Sequence, residues 1–235
     1  MRAVIAVLSV ALLALSGCVI ATAGKGGMPD LGPVHTWPPP EQALADAVAA
    51  MNGLRSVREH YRSQTYRDGQ LAQFIDSERV YVAPDRKWEQ GRYGTPQETI
   101  DAEVVQIGTK LFRRVGTGAW QRMEWPGGLK WPNDEFGFPG ASNVAWMGPG
   151  DADGRPARIL AFQHAGSAEQ RNAGWEFHTQ LWLDPQSQLV LQRVTTGRRE
   201  GDSATPPQRF EGTWTYTDHN AALAVNEPQA AARTP

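Results

Sequence analysis

The sequence predicts an α+β, mainly β domain of about ten antiparallel strands with one helix at its N-terminal end. Three observations carry this. Only one segment, Glu41–Asn52, repeats apolar residues at helical spacing. From there to Thr217, short segments rich in β-branched and aromatic residues follow one another, several with a period of two. The connections between them are short, which favours pairing of sequence neighbours in an antiparallel meander.

Pro40 suits the first turn of the helix, where its missing N–H costs nothing. Glu41 and Asp46 near the start complement the helix dipole. Leu44, Val48 and Met51 share one face, and Gly53 is the stop signal. The apolar stripe is narrow and alanine-rich, so the helix should lie against a sheet.

The strands differ in clarity. Phe210, Trp214 and Tyr216 alternate with Glu211, Thr213, Thr215 and Thr217, giving one dry and one wet face. Trp175, Phe177, Leu181 and Leu183 alternate with Glu176, His178 and Gln180, and Trp182 is out of phase. Asp184-Pro185-Gln186-Ser187 has turn chemistry, and Leu189–Val194 returns to make a hairpin. Earlier strands are read at Val57–Thr65, Leu71–Val82, Lys87–Arg92, Ala102–Ile107, Lys110–Val115, Ala119–Trp125 and Ala157–His164. Several carry apolar residues on both faces: Val104, Val105 and Ile107; Leu111 and Phe112; Ile159, Leu160 and Phe162; Leu189, Val190 and Leu191. One short helix covers only part of such a sheet. The second face needs more helix, a folded-over part of the sheet, or a ligand.

Trp125–Met147 reads as irregular. Trp125, Trp131, Phe136, Phe138 and Trp146 lie among Pro126, Pro132, Pro139 and several glycines. So many aromatics are costly to expose in a loop. Either the segment folds back as a plug, or it forms a lid or contact surface.

The N-terminus has a basic Arg2, an apolar run Ala3–Leu15 and then Ser16-Gly17-Cys18. The run is too short to span a bilayer, which takes about 20 residues. This order resembles a bacterial lipoprotein signal peptide with its lipobox. The resemblance implies removal of residues 1–17, acylation of Cys18 with palmitate-like chains, and residence in the cell envelope outside the cytoplasm, tethered to a membrane. Each buried methylene of such a chain contributes about 0.8 kcal/mol. Residues 18–39 then form a Gly/Pro-rich tether with a typical end-to-end distance of about 25 Å. Residues 40–228 form the single domain and 229–235 a disordered tail. Cys18 is the only cysteine, so no internal disulfide can form. Cleavage removes only Arg2 among the charges, leaving 22 Lys+Arg against 25 Asp+Glu. That balance argues against a nucleic-acid partner.

The opening helix with its following strand, Ala43–Tyr61, the hairpin Leu181–Asp184 to Leu189–Arg193, and the close from Thr213 to Pro228 together resemble a known superfamily. It comprises bacterial lipoprotein and lipid carriers, including the periplasmic and outer-membrane lipoprotein-sorting proteins and the mycobacterial lipid-carrying lipoproteins. The resemblance spans most of residues 41–228 as a layout of apolar and turn positions. It implies a strongly curved antiparallel sheet, an unclosed barrel, with the helix against its concave side. An acyl-chain lipid or lipoprotein would fill the hollow. The residues expected to line the hollow or its lid are Phe112, Met123, Trp125, Trp131, Phe136, Phe138, Trp146, Leu160 and Phe162. The superfamily supplies no catalytic residues to carry over.

The residues themselves offer no catalytic constellation. None of the five histidines has helical zinc spacing with a partner. His164 and His178 could meet across neighbouring strands, although surface or strand-end positions are simpler. Asp218-His219-Asn220 reads as an Asx-type turn. No nucleophile elbow or phosphate loop occurs in context. The expectation is a monomeric, non-enzymatic protein without cofactor or metal. Two readings stand: a carrier of a hydrophobic ligand, or a cell-envelope interaction or sensor module on the same sheet.

Overall fold

The computed structural model describes residues 31–33, 36–129, 136–201 and 205–228. The expectations for Cys18, for Trp131, for residues 1–17 and for 229–235 lie outside the described residues. One long helix, α1 (Pro40–Asn52), precedes eleven strands. These are β1 (Ser56–Arg67), β2 (Gln70–Val82), β3 (Arg86–Gly94), β4 (Thr99–Ile107), β5 (Lys110–Val115), β6 (Gln121–Glu124), β7 (Ser142–Ala152), β8 (Arg155–His164), β9 (Trp175–Leu183), β10 (Val190–Arg199) and β11 (Gln208–Thr217). A five-residue helix, α2 (Ala168–Asn172), sits between β8 and β9. Among the described residues no helix is long and apolar enough to cross a membrane.

All strands join one antiparallel sheet in the order β6-β5-β4-β3-β2-β1-β11-β10-β9-β8-β7. The sheet curves without closing, so β6 and β7, consecutive in the chain, are its two free edges. Local chemistry supports the hairpins. Asp68-Gly69 and Asp153-Gly154 both take positive φ, at 53° and 75° and at 53° and 76°. This is the backbone a two-residue hairpin turn requires and which Asp-Gly supplies with little strain.

The segment Trp125–Met147 is not irregular to its end. Residues 142–147 belong to β7, which continues through Gly148-Pro149-Gly150. Its register slips twice, between Ser142 and Ala145 and between Trp146 and Gly148. An edge strand needs partners on one side only, so it tolerates proline and bulges that a central strand would not.

Helix α1 buries Ala43, Leu44, Ala47 and Met51 against the concave face of the sheet. It shares one buried cluster with Val57 and Tyr61 of β1, Leu160 and Phe162 of β8, Leu181 of β9 and Tyr216 of β11. Gly53 ends the helix without a left-handed turn, and its N–H still reaches the Ala49 carbonyl at 3.0 Å.

The convex face explains the strands that are apolar on both sides. Val80, Val105 and Phe112 are buried there with Val225, and Trp120 and Leu223 pack around them. The chain after β11 therefore folds back over its own sheet. It is held by the Ser56 hydroxyl donating to the Ala221 carbonyl (2.6 Å) and Arg86 donating to the Val225 carbonyl (2.9 Å). Trp182, out of phase in β9, packs on the convex side over Ala152, Ala157 and Leu191. Val225→Ala should cost about 1–2 kcal/mol of stability through lost burial. A urea melt showing no change would mean that the terminal stretch does not close this face.

Candidate functional site

The site is the concave face, and register decides which side chains reach it. Across the sheet, Phe177, Gly197, Phe210 and Thr65 lie in one row, and Leu181, Arg193, Trp214, Tyr61, Ser77, Gly91, Ala102 and Val115 in another. Alternation then places Glu59, Arg79 and Glu89 inside, with Leu111 and Met123 further along.

The half of the hollow under β7–β11 is filled by the protein itself. Phe136 is only 1% exposed and its ring lies 5.5 Å from that of Tyr216. Phe138 meets Phe162 edge-on at 4.8 Å. Leu160 and Phe162 are buried under them. Trp146 packs against the same cluster, donates Nε1–H to the Pro38 carbonyl (2.8 Å) and meets Trp37 edge-on at 5.0 Å. Trp37 is buried, so the last residues before α1 pack onto the domain.

Five of the residues expected around the hollow, Phe136, Phe138, Trp146, Leu160 and Phe162, thus come together. Phe112 does not join them. It faces the convex side, because Leu111 and Phe112 point opposite ways and the returning C-terminal stretch covers Phe112. Met123 and Trp125 lie at the β6 edge, 39% and 53% exposed. They belong to an uncovered half of the concave face under β4–β6, where Val115 is 46% exposed beside half-buried Val104 and Leu111.

Under β1 and β8–β11 an open cavity of about 600 Å³ remains, walled by Tyr61, Phe138, Phe177, Phe210 and Trp214, with Arg193, His164 and Thr195 among them. Its floor is a ladder of stacked groups. Arg79 lies over the Tyr61 ring at 4.1 Å, Tyr61 stacks on Trp214 at 4.7 Å, and Arg193 covers Trp214 at 3.5 Å. Cation–π contacts shielded from water are worth about 2 kcal/mol or more.

Beside the ladder sits a buried ionic network. Arg79 donates to Glu59 (2.9 Å) and to Glu89 (2.8 Å), the Ser77 hydroxyl donates to Glu89 (3.1 Å), and Lys87 also pairs with Glu89. Burial alone would raise the Glu89 pKa, but the charges of Arg79 and Lys87 overcome it and hold the carboxyl down at about 2. Burial and the Glu89 charge push the Tyr93 hydroxyl the other way, upward. His164 is lowered to about 4, by burial first and then by the Arg193 charge. It therefore stays neutral at pH 7 and bonds the Thr179 hydroxyl at 3.0 Å.

The shifts of Glu89 and His164 share one sign. The folded pKa of Glu89 lies below the ordinary 4.5, so its contribution is complete above that value and lost as pH falls through 2. His164 adds a loss between its ordinary 6.5 and about 4. The urea midpoint should fall steadily on acidification from pH 7, and a flat profile down to pH 3 would contradict the network.

His164 and His178 do not meet. His164 pairs with Phe177 and faces in, whereas His178 pairs with Gln163 and faces out. Among the described residues no group of three potential metal ligands assembles. Asp218 and Asn220 form a turn that ties the end of β11 to the start of β1. Arg58 donates to the Asp218 carboxylate (2.9 Å), and the Arg55 N–H donates to the Asn220 side chain (2.7 Å).

No protein-family model matches the sequence, and no curated protein matches it. Solved structures do. LprF from Mycobacterium bovis superposes with a TM-score of 0.54 at 14% identity, over 80% of this chain and 96% of that one. The Mycobacterium tuberculosis lipoprotein LppX gives 0.51 at 15% identity, over 79% and 99%. The chain has the fold of LprF and LppX. At this identity the likeness to LprF and LppX concerns the path of the backbone. It covers almost the whole of both proteins, so the shared unit is the fold as a whole.

Proposed function

We propose that this protein is an exported, lipid-anchored carrier that holds a hydrophobic ligand, an acylated lipid or a lipoprotein's acyl chains, on the concave face of its sheet without covalent chemistry. One observation carries the reading. The chain leaves Val115, Met123 and Trp125 of the concave face exposed under β4–β6, and an open cavity remains on the same face under β1 and β8–β11. Contiguous apolar surface of this kind marks a binding site, and burying it yields about 25 cal/mol per Å². The anchor rests on Cys18 and the lipobox order around it. The shared fold with LppX, itself a lipoprotein, agrees with both.

The test is native mass spectrometry of protein purified without detergent, joined to titration with a fluorescent fatty acid. A co-purifying lipid, or saturable probe binding lost in Met123→Asp, supports the carrier. If no lipid co-purifies and the probe does not bind, the carrier reading is overturned.

The second reading, a protein-interaction module, draws on Phe136, which fills the centre of the hollow. Under it the uncovered apolar strip docks a partner protein. The same substitution then abolishes partner capture while fatty-acid binding is absent from the outset.

A further inference from the structure

We infer that the uncovered strip under β4–β6 takes an anionic amphiphile, with Arg113 holding its carboxylate or phosphate head and Leu111, Met123 and Trp125 its hydrocarbon chain. This rests on the carrier reading and names the class of its ligand.

Position comes first. Phe112 is buried on the convex side, so alternation turns Arg113 to the concave one. There Arg113 faces Val104 of β4 and Gln121 of β6, and Leu111 and Val115 stand on either side of it along its own strand. None of these neighbours is acidic. The next inner residue beyond Val104 is Glu89, which Arg79, Lys87 and Ser77 already engage.

Pairing sets Arg113 apart. In β3–β6, Lys87, Arg92, Lys110, Arg114 and Arg122 each lie within ion-pair distance of a carboxylate. Arg86 donates to the Val225 carbonyl. Arg113 is exposed and has no such partner among the described residues. A guanidinium presents a planar fork of N–H donors that matches a carboxylate or phosphate, and bonds of that kind are stronger than those between neutral groups. A neutral chain laid over the strip would instead cover the cation and leave it unpaired, which is costly.

The strip is also sided. Arg113 and the Gln121 amide form its polar end. Leu111 and Met123 pair further along, and Trp125 follows, its backbone N–H bonded to the Thr109 carbonyl at 2.7 Å. From Arg113 to Thr109 the strand runs about 13 Å, at about 3.3 Å per residue. Met123 and Trp125 are exposed over that length, so a chain whose head sits at Arg113 finds apolar surface to cover.

The experiment uses the full-length protein stripped of co-purified lipid. An uncharged fluorescent fatty-acid ester is displaced by oleate, oleyl phosphate, methyl oleate, acetate and inorganic phosphate. Oleate or oleyl phosphate should bind about tenfold more tightly than methyl oleate, and whichever anion is tighter names the head. Arg113→Gln should erase that preference while methyl oleate still binds and the urea midpoint stays in place. Arg113→Lys should keep most of it. Arg122→Gln, on the opposite face and paired with Glu124, should leave it intact. Equal affinity for oleate and methyl oleate in the wild type overturns the head-group assignment and leaves the carrier standing. A preference that survives Arg113→Gln, or vanishes in Arg122→Gln, overturns it too. Acetate or inorganic phosphate competing as tightly as the long-chain anions also overturns it, because the site then serves free anions. Binding of none of the long-chain compounds overturns both readings.

Discussion

Arg79→Met should destabilise the domain by about 3–5 kcal/mol, the usual cost of removing one partner from a buried ionic group. Arg79 is buried between Glu59 and Glu89 and makes the bonds that hold both carboxylates. Its loss leaves Glu59 without its arginine and leaves Glu89 to Lys87 and the Ser77 hydroxyl. The variant also loses the cation over Tyr61, and with it one end of the stacked ladder. A charge-balanced quadruple variant, Arg79→Met and Lys87→Met with Glu59→Gln and Glu89→Gln, should recover much of the loss, since replacing a whole buried ionic group is often close to neutral. Urea titration of both variants decides it. A single variant within 1 kcal/mol of wild type would show that these carboxylates are not held by Arg79.

Phe136→Ala is expected to have a comparable effect on stability and an opposite one on binding. Truncating a buried phenylalanine costs about 3–5 kcal/mol, in transfer free energy and in the cavity left behind. Phe136 is the ring that closes the middle of the hollow against Tyr216. A carrier whose ligand lies on the concave face should take up more fatty-acid probe once that ring is gone, even as its melting point falls. Unchanged uptake with the expected loss of stability would place the ligand wholly under β4–β6. Lower uptake would show that Phe136 shapes the site.

Most of the architecture was legible because it rests on periodicity. Ten of the eleven strands and the single long helix follow from spacing alone. β7 did not, because Gly148, Pro149 and Gly150 read as loop. Only the strand's position at a free edge, a tertiary fact, makes that composition tolerable. The ionic network was hidden for a different reason. Glu59 and Arg79 look like solvent-facing residues, yet Glu59 is in phase with Val57 and Tyr61, and Arg79 with Tyr81. Strict alternation would have put both inside. Phe112 was ambiguous in principle. Where both faces of a strand are apolar, a period of two carries no sign, and only the returning stretch at Leu223 and Val225 settles which side is covered. Arg193 lies in phase with Thr195, and nothing in its neighbourhood marks it as a cavity residue.

The strand order carries a kinetic consequence. Every pairing in the sheet joins sequence neighbours except one, the seam between β1 and β11. Two meanders, β1–β6 and β7–β11, can each assemble from local hairpins within microseconds. Joining them requires Arg58 to find Thr217 and Arg67 to find Gln208, with most of the domain looped out between. The entropy of closing that loop is concentrated in a single event, so the seam governs how fast the native sheet appears.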